Sequence, residues 1–548
     1  MSLIRFKNNR SNPTEKRVEG KKHSKVVKNF VIFLVIASFI PLTAFSKGKS
    51  FIAKNKNKTG LPEITVNSSK VVNEKISKLI FGINAASYLP ENLSPEVLKY
   101  LGEWSEIIRW PSGANTEMYD WYTHTRTNFE AKPGIKVQST VQDKSTLTSN
   151  FVNASKQVGD GAEVLVGVNT LLAITERKPE TKFFETLKPL YSDGLPKGAE
   201  HAANWVKYAN KDFGNRYGAN EPLSEPLNIK YWEIGNELNL VAKRDLGMTN
   251  NEIIDNYNSL FRDYFNKMTA VDPKIKAVGP AFTNASFDEI KDSQGNVMEK
   301  SIMETFLEKS GDIVDVVSFH LYQRPSEKYP KYESLQKSIM PRVDEYAERI
   351  GKLREWINKY GVDTERRKKE DIKIALTEYN AGPSNLCENT IWDHAIWTAD
   401  MIGMFMRENL YMANMWHIKM GNHSLYNIDV QNNKVTPNPA HYALKFMKEH
   451  SYVKEGSKLL EGVSSNSSLR VYPIEHDGKL SLIVINTSDK EDITAEINVD
   501  KKAGKYVTGY ELSGVGEEVK TGVEKVNSKY TRTFKKHSVT CLEFSKNK

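Results

Sequence analysis

Residues 229–237 read Ile-Lys-Tyr-Trp-Glu-Ile-Gly-Asn-Glu, a short apolar run that ends in polar residues. A second run, Ile372–Tyr379, has the same character and leads up to Glu378. Short β-branched and aromatic runs of this kind predict buried strands of a parallel sheet. Because parallel strands end at one edge of their sheet, we expect Glu237 and Glu378 to lie at the same edge.

Six further runs resemble these two, and stretches of helical periodicity separate them. The eight predicted strands are Leu79–Asn84, Ile107–Trp110, Val164–Asn169, Ile229–Gly235, Ile275–Gly279, Val314–His320, Ile372–Tyr379 and Met412–Ile418. The clearest predicted helices are Pro95–Trp104, Ala199–Tyr217, Asn251–Val271, Val343–Tyr360 and Trp392–Glu408. Eight strands alternating with helices predict an α/β fold, a (β/α)8 TIM barrel over residues 79–448.

The pattern changes near residue 449. Short alternating runs with turn residues between them extend to residue 548, which predicts an antiparallel β-sandwich domain. Residues 61–78, ahead of the first barrel strand, are expected to add N-terminal strands to that sandwich.

The N-terminus predicts export. Residues 1–46 contain nine lysines and arginines against Glu15 and Glu19, followed by the apolar run Phe30–Ile40. That run is too short for a comfortable membrane span of about 20 residues. Two interpretations stay open: a signal peptide cleaved after Ser46, or an uncleaved signal-anchor. Residues 47–60 are a polar linker, and the protein is expected to be secreted, periplasmic or at the cell surface.

The charge distribution excludes nucleic acid as the expected partner. The whole chain carries +9, but the N-terminal segment accounts for all except +2 of it. The remainder therefore has an ordinary soluble surface. The two cysteines, Cys387 and Cys541, either form one bridge or remain separate thiols, and they support neither a metal site nor a redox role.

The predicted strand ends carry chemistry that suits glycoside hydrolysis. Residues that face the ligand in such a barrel lie at the carboxyl ends of its strands. Two carboxylates at one cavity can act as proton donor and nucleophile, at a separation of about 5–5.5 Å in a retaining enzyme. Arg109, at the end of the second strand, is a cation suited to keeping one of them ionised.

The motifs at these ends, in order, resemble those of clan A glycoside hydrolases. Within that clan the chain is most similar to the α-L-arabinofuranosidases of family 51 and their relatives. The stretches that carry the resemblance are Ile107–Gly113 (IIRWPSG), Ala203–Asn210 (ANWVKYAN), Lys230–Glu237 (KYWEIGNE), His320–Tyr322 (HLY) and Thr377–Asn380 (TEYN). The resemblance covers roughly residues 63–545, sandwich included.

The resemblance implies roles for single residues. Glu237 is the expected general acid/base and Glu378 the expected nucleophile. Asn236 is expected to bind the sugar hydroxyl beside the anomeric carbon. Arg109 and Tyr322 are expected to hold Glu378, His320 to lie near Glu237, and Trp416 to form a stacking platform.

Two departures from the family pattern bear on the substrate. Pro111-Ser112-Gly113-Ala114-Asn115 replaces the usual Pro-Gly-Gly-Asn, so Asn115 is the expected sugar-binding asparagine, one residue out of register. The region around Trp416 also lacks the glutamine expected of arabinofuranosidases. These departures leave the two glutamates in place but weaken the prediction of arabinose as the sugar.

The sequence thus predicts an exported, retaining, arabinofuranosidase-like hydrolase of polysaccharide or oligosaccharide, with no cofactor and no catalytic metal. Alternatives within clan A are an endo-β-glucanase, a β-xylosidase and a glucuronidase. A non-catalytic carbohydrate-binding barrel is a further alternative, although a binder needs the aromatic residues and not the glutamate pair. A membrane-anchored protein that trims the cell's own polysaccharide is the last. The sugar, its anomer, exo or endo action and the oligomeric state are left undetermined.

Overall fold

Eight parallel strands close into a barrel, in the order in which they occur along the chain. They are β1 (Gly82–Asn84), β2 (Ile107–Trp110), β3 (Glu163–Val168), β4 (Tyr231–Ile234), β5 (Lys276–Phe282), β6 (Val316–Gln323), β7 (Lys373–Ala381) and β8 (Met412–Met415). The structure is a computed structural model. It describes residues 60–128, 138–187, 198–291, 294–323, 343–381, 392–451, 453–454, 456–499, 504–514 and 516–546.

Helices connect the barrel strands and cover the outside of the barrel. They are α1 (Pro95–Gly102), α2 (Asn115–Met118), α3 (Thr148–Ser155), α4 (Leu171–Thr175), α5 (Lys182–Leu187), α6 (Gly198–Asn210), α7 (Leu238–Asp245), α8 (Asn250–Val271), α9 (Ile302–Ser310), α10 (Val343–Tyr360), α11 (Trp392–Arg407) and α12 (Pro439–His450). The long helix α8 begins where Thr249 and Glu252 form a capping box, which satisfies backbone donors of its first turn. Among the described residues, no helix combines the length and apolar character needed to cross a bilayer.

Short elements lie in the loops. A three-stranded sheet follows β2 (Tyr119–Asp120, Thr125–Asn128 and Gln138–Val141), and hairpins follow β5 (Ile290–Lys291 with Val297–Glu299) and β8 (Tyr426–Asp429 with Lys434–Pro437). The 3₁₀ turns are Lys78–Ile80, Pro90–Leu93, Lys144–Thr146, Asn284–Phe287, Lys369–Asp371 and Gly421–His423.

The predicted barrel is confirmed, and each predicted run contains or overlaps one barrel strand. The predicted limits of the first and last strands differ from the observed ones. Residues 78–80 form a 3₁₀ turn instead of a strand, because the Ser77 hydroxyl accepts a hydrogen bond from Leu79 N and caps that turn. Strand β8 ends at Met415, so Trp416 and His417 lie just beyond it.

The C-terminal residues form a nine-stranded, mostly antiparallel sheet. Its strands are β9 (Lys458–Ser464), β10 (Leu469–His476), β11 (Lys479–Asn486), β12 (Ile493–Val499), β13 (Tyr506–Ser513), β14 (Glu517–Lys525), β15 (Lys529–Phe534), β16 (Ser538–Ser545) and the N-terminal strand Glu63–Asn73. Val507 and Phe534, from strands far apart in the sheet order, share one buried cluster with Leu482. The sheet therefore curls over its own core as a sandwich.

The N-terminal strand breaks the predicted all-antiparallel pattern. It pairs antiparallel with β9 but parallel with β12. The N-terminal strand can run parallel to β12 because no hairpin joins the two strands, which come from opposite ends of the chain. Barrel and sandwich both belong to one compact unit, Gly48–Lys548, so the predicted boundary at residues 448/449 stays a prediction.

The outer face of the sandwich packs on the barrel through α11. The ring of Tyr472 lies against Gly403, where an added methyl group would come within 2.2 Å of it, and the Tyr472 hydroxyl donates to Asp400. Glycine is required at residue 403 because the ring occupies the space of a side chain. Cys541 is a fully buried free thiol on this side of the sheet, hydrogen-bonded to Ser481, whereas Cys387 lies outside the described residues.

Candidate active site

Two carboxylates meet at the carboxyl end of the barrel. Glu237 lies three residues beyond the end of β4, and Glu378 lies within β7 opposite His320 of β6 in the strand register. Oxygen atoms of the two carboxylates and Nδ1 of His320 all lie within 4.8 Å of one another. The expectation that both glutamates share one edge of the sheet is therefore met.

A tight turn aims Glu237 into the barrel mouth. Gly235 has φ +86°, and Glu237 itself has φ +47°, in the left-handed region that non-glycine residues rarely adopt. The Glu237 N–H donates to Ala281 O at 3.0 Å, which fixes the turn against β5. Strain of this kind is retained where neighbouring structure enforces it, commonly at functional sites.

Both oxygens of Glu378 accept hydrogen bonds from neighbouring barrel residues. Arg109 Nη1 donates to its Oε1 at 2.8 Å, and the Tyr322 hydroxyl donates to its Oε2 at 2.7 Å. Only 5% of the Glu378 side chain is exposed. A cation and a hydroxyl donor thus each hold one oxygen of this carboxyl group in place.

The surroundings of Glu237 are different. Its side chain is 25% exposed, and its contact is with His320, whose Nδ1 lies 2.9 Å from Oε1. That Nδ1 lies 3.7 Å from Glu378 Oε2 as well. Because both neighbours are acceptors, Nδ1 carries a proton and donates to Glu237.

Arg109 links the nucleophile candidate to a second buried acid. Its Nε donates to Glu233, its Nη2 to Asn236 Oδ1 at 2.7 Å, and its Nη1 also to Asn84 Oδ1 at 3.0 Å. Burial alone would lower the pKa of Arg109, but Glu233 and Glu378 outweigh burial and raise that pKa. The guanidinium thus stays charged in the barrel interior, where its partners satisfy it.

Asn236 and Tyr322 complete the inner wall. Asn236 uses its carbonyl on Arg109, and no acceptor among the described residues contacts its Nδ2, so that amide is available to a sugar hydroxyl. Burial, together with the charges of Glu378 and Glu237, raises the pKa of Tyr322 well above its ordinary value. The Tyr322 hydroxyl therefore stays protonated and can only donate to Glu378.

Trp416 forms one wall of the mouth, half-buried beside Gly113. A methyl group at Gly113 would come within 2.2 Å of the indole, and Gly113 has φ +60°. The glycine thus allows both the backbone turn and the close approach of the ring. The next residue, His417, is buried, and burial lowers its pKa to about 3, so it is neutral.

Ser112 and His417 form a pair that does not activate a nucleophile. They are 3.2 Å apart, but Lys419 N donates to His417 Nδ1, which places the ring proton on Nε2. A protonated Nε2 donates to the Ser112 hydroxyl instead of taking its proton.

Asn115 uses its side chain inside the protein. Its Nδ2 donates to Ser112 O at 3.1 Å, and its Oδ1 accepts from Arg126 Nε at 2.8 Å. The residue is 5% exposed. Its expected role in sugar binding stays a prediction. In the structure its side-chain oxygen binds the guanidinium of Arg126 at this end of the barrel.

Sequence reasoning missed two residues around the site, Asn84 and Glu117. Asn84 ends β1 and supports Arg109, and its position at a strand end was the available signal. Glu117, on the one-turn helix α2, accepts a hydrogen bond from Asn236 N, and nothing in the sequence marks it. A further carboxylate near the site, Glu233 within β4, is fully buried and forms an ion pair with Arg109.

Loss of the Tyr322 hydroxyl should impair turnover without unfolding the protein. We expect Tyr322→Phe to lower kcat about 10- to 100-fold, because a charge-assisted hydrogen bond to the nucleophile candidate is removed. Tyr217→Phe is the matched control, since it removes a tyrosine–carboxylate bond to Asp212 on a distant loop. Equal kinetics of Tyr322→Phe and wild type would show that this bond does not serve catalysis.

Comparisons with known proteins agree with this geometry. Residues 103–339 match the family described as alpha-L-arabinofuranosidase 1 domain. That match includes β2, β4 and β6 with Arg109, Glu237 and Tyr322, and it ends before Glu378. No curated protein matches the chain.

Solved structures share the fold across both domains. A family 51 α-L-arabinofuranosidase from Thermotoga petrophila RKU-1 is 19% identical with a TM-score of 0.64, covering 88% of this chain and all of that one. The family 51 arabinofuranosidase from Xanthomonas axonopodis pv. citri is 15% identical with a TM-score of 0.66, and it too covers 88% of this chain and all of that one. A family 44 xyloglucanase from Paenibacillus polymyxa is 14% identical with a TM-score of 0.60, covering 88% of this chain and 99% of that one. The predicted resemblance to clan A glycoside hydrolases, and to the arabinofuranosidase group within them, is confirmed.

Proposed function

We propose that this arabinofuranosidase-like glycoside hydrolase removes terminal α-L-arabinofuranosyl groups from polysaccharides or oligosaccharides with retention of configuration. Glu378 is the nucleophile and Glu237 the general acid/base. The observation that carries the proposal is the spacing of the two carboxylates, whose nearest oxygens lie within 4.8 Å. Inverting enzymes separate their carboxyl groups by about 6.5–9.5 Å to admit a water molecule, whereas retaining enzymes bring them to about 5–5.5 Å, and the close approach of these two oxygens supports the retaining arrangement.

The unequal surroundings of the pair support the assignment of roles. Glu378 accepts a hydrogen bond on each oxygen, from Arg109 and from Tyr322, and these bonds fix the carboxylate in the barrel mouth. Glu237 is more exposed, and the described residues supply one hydrogen-bond donor to it, His320, which leaves its other oxygen for the leaving group and water in the proposed mechanism. Two carboxyl groups in different environments can divide the acid and nucleophile roles.

The reaction then follows in two steps. Glu378 attacks the anomeric carbon while Glu237 gives its proton to the departing glycosidic oxygen, which forms a glycosyl-enzyme. Glu237 next takes a proton from water, and that water attacks the same carbon and releases Glu378. In this mechanism Asn236 Nδ2 holds the hydroxyl beside the anomeric carbon, and Trp416 stacks against the sugar.

Metal removal should leave activity unchanged. Glu237, His320 and Glu378 are close enough together to ligate a cation, but both oxygens of Glu378 are already bonded to Arg109 and Tyr322. The Arg109 charge also opposes a divalent cation there. We expect the same kcat/KM before and after dialysis against EDTA. A loss that added Zn²⁺ restores would contradict this prediction.

One observation favours a second candidate, a glucuronidase. Arg126 is half-buried at the carboxyl end of the barrel, with its guanidinium 4.4 Å from the ring centroid of Tyr88. It donates to Asn115 and forms no ion pair with any described carboxylate. A guanidinium at this end of the barrel, with no carboxylate partner among the described residues, suits a sugar carboxylate, which Arg binds bidentately.

A substrate panel separates the two candidates. Wild type, Arg126→Gln and the control Arg216→Gln are assayed on nitrophenyl α-L-arabinofuranoside, nitrophenyl β-D-glucuronide and dyed polysaccharides. Arg216 is an exposed arginine paired with Glu221 away from the site. Cleavage of the arabinofuranoside by all three proteins supports the first candidate. If wild type and Arg216→Gln cleave the glucuronide and Arg126→Gln does not, the second candidate is supported. If only the dyed polysaccharides are cleaved, both candidates are overturned in favour of an endo-acting enzyme.

Export is a further part of the proposal and rests on the sequence of residues 1–46. The protein that remains after cleavage at Ser46 is nearly neutral, as an enzyme of neutral polysaccharides can be. N-terminal sequencing of protein from the culture medium tests it. A mature terminus near Lys47 supports cleavage, whereas an intact terminus in the membrane fraction supports an anchor.

A further inference from the structure

Glu117 is a buried carboxylate that neither catalytic step uses. It lies on α2, just after β2, and is 3% exposed. Its Oε2 accepts from Thr170 N and Leu171 N, both at 2.7 Å. Its Oε1 accepts from Thr170 Oγ1 at 2.9 Å and from Asn236 N at 2.7 Å. All four partners are donors, and three of them are backbone N–H groups.

These bonds connect the ends of three neighbouring barrel strands. Glu117 follows β2, Thr170 and Leu171 follow β3, and Asn236 follows β4. The bond to Asn236 N fixes the backbone of the residue before Glu237. Because Glu237 is in the left-handed region, its direction depends on this turn, which Glu117 holds on one side and Ala281 O on the other.

We propose that Glu117 is a positioning residue for the acid/base, and that its ionised carboxylate holds the Gly235–Glu237 turn in the geometry that protonates the leaving group. The inference rests on the proposed function of Glu237. A protonated Glu117 would turn its own hydrogen toward one of four donors and lose at least one of these bonds. The turn would then be free to shift, and a displacement near 1 Å of a catalytic group costs about 100-fold in rate.

The ionisation of Glu117 falls in an accessible pH range. Burial raises its pKa to about 7, although the hydrogen bonds from Thr170, Asn236 and Leu171 lower it. The charge of Glu117 also acts on the hydroxyl group of Tyr257 on α8. Arg109 donates to the side chain of Asn236 and is itself paired with Glu233 and Glu378. An acid that must be ionised is active above its pKa, so activity should fall as the pH drops through about 7.

The test compares substrates with different leaving groups. If Glu117 acts through the acid/base, the loss of kcat/KM in a Glu117 variant should be larger for a leaving group that needs protonation. A dinitrophenyl glycoside needs little protonation, whereas an alkyl or sugar leaving group needs a full proton transfer. We expect Glu117→Gln at pH 8 to lower kcat/KM about 10- to 100-fold for the poor leaving group and less than about threefold for dinitrophenolate. Glutamine replaces one oxygen with an amide donor, so it cannot keep all four bonds.

The control variant is Glu106→Gln, which neutralises another largely buried carboxylate, paired with Lys78 and Lys448 before β2. It should behave as wild type on both substrates. Equal losses of Glu117→Gln on both substrates would indicate a merely structural role and overturn the inference. The proposed function fails separately, if Glu378→Ala keeps its activity.

The wild-type pH profile tests the inference even if the variant does not fold. With a poor leaving group, kcat/KM should have an acidic limb with a midpoint near pH 7. With the dinitrophenyl glycoside, that limb should weaken. A wild-type profile that is flat between pH 6 and 8 for the poor leaving group would overturn the inference.

Discussion

Replacing the Glu378 carboxylate is expected to abolish turnover of every glycoside. In the proposed mechanism Glu378 forms the covalent bond to the sugar, and no neighbouring group can take its place: Glu237 faces the leaving group, and Glu233 is paired with Arg109 inside the barrel. We expect Glu378→Ala to lower kcat by at least about 10⁴-fold for poor and activated leaving groups alike. Steady-state rates on the substrate found in the panel measure this loss.

The same change leaves the Arg109 charge without one of its partners. Glu378→Gln is therefore the companion variant, since it keeps the size of the side chain and an acceptor for Tyr322 or Arg109. Both variants should fold, as judged by circular dichroism, and both should be inactive. Substantial activity in a folded Glu378→Gln would contradict the assignment of the nucleophile.

Replacing Glu237 is expected to give a different defect. The acid/base assists departure of the leaving group and then activates water, and each contribution is worth about 10²–10⁴-fold. Glu237→Ala should therefore lose turnover of substrates with poor leaving groups. It should still react once with a dinitrophenyl glycoside and then stall as the glycosyl-enzyme, which intact-protein mass spectrometry detects.

Azide distinguishes the two glutamates. It attacks the stalled glycosyl-enzyme without needing a general base, so it should restore turnover of Glu237→Ala and give a glycosyl azide with the substrate's configuration. It should give no such product with Glu378→Ala. If azide gives a glycosyl azide of retained configuration with Glu378→Ala, and an inverted one with Glu237→Ala, then the two assignments are exchanged.

The barrel was predictable from sequence because its strands are short apolar runs with polar residues at their ends. Ile107–Trp110 is the strand β2 to the residue, and the chain order of the strands is their order in the barrel. Edges were less predictable where local bonds compete with the sheet, as at Ser77 and the 3₁₀ turn. The parallel pairing of Glu63–Asn73 with β12 could not be read from periodicity, which is the same for either direction.

The candidate site was predictable where a side chain lies at a strand end. Arg109, His320, Tyr322 and the two glutamates all do. In the structure Arg109 and Tyr322 donate to Glu378, and His320 contacts Glu237. Their catalytic roles stay predictions. Glu117 was not predictable, because it lies on a one-turn helix and acts through backbone donors of residues more than 50 positions away.

The stereochemistry of hydrolysis tests the central claim most directly. The wild-type enzyme is mixed with the glycoside that the panel identifies, and the anomeric proton of the first product is followed by NMR before mutarotation sets in. A two-carboxylate double displacement predicts that the first product has the anomeric configuration of the substrate. A first product of the opposite configuration would contradict the double displacement and the role of Glu378 as nucleophile.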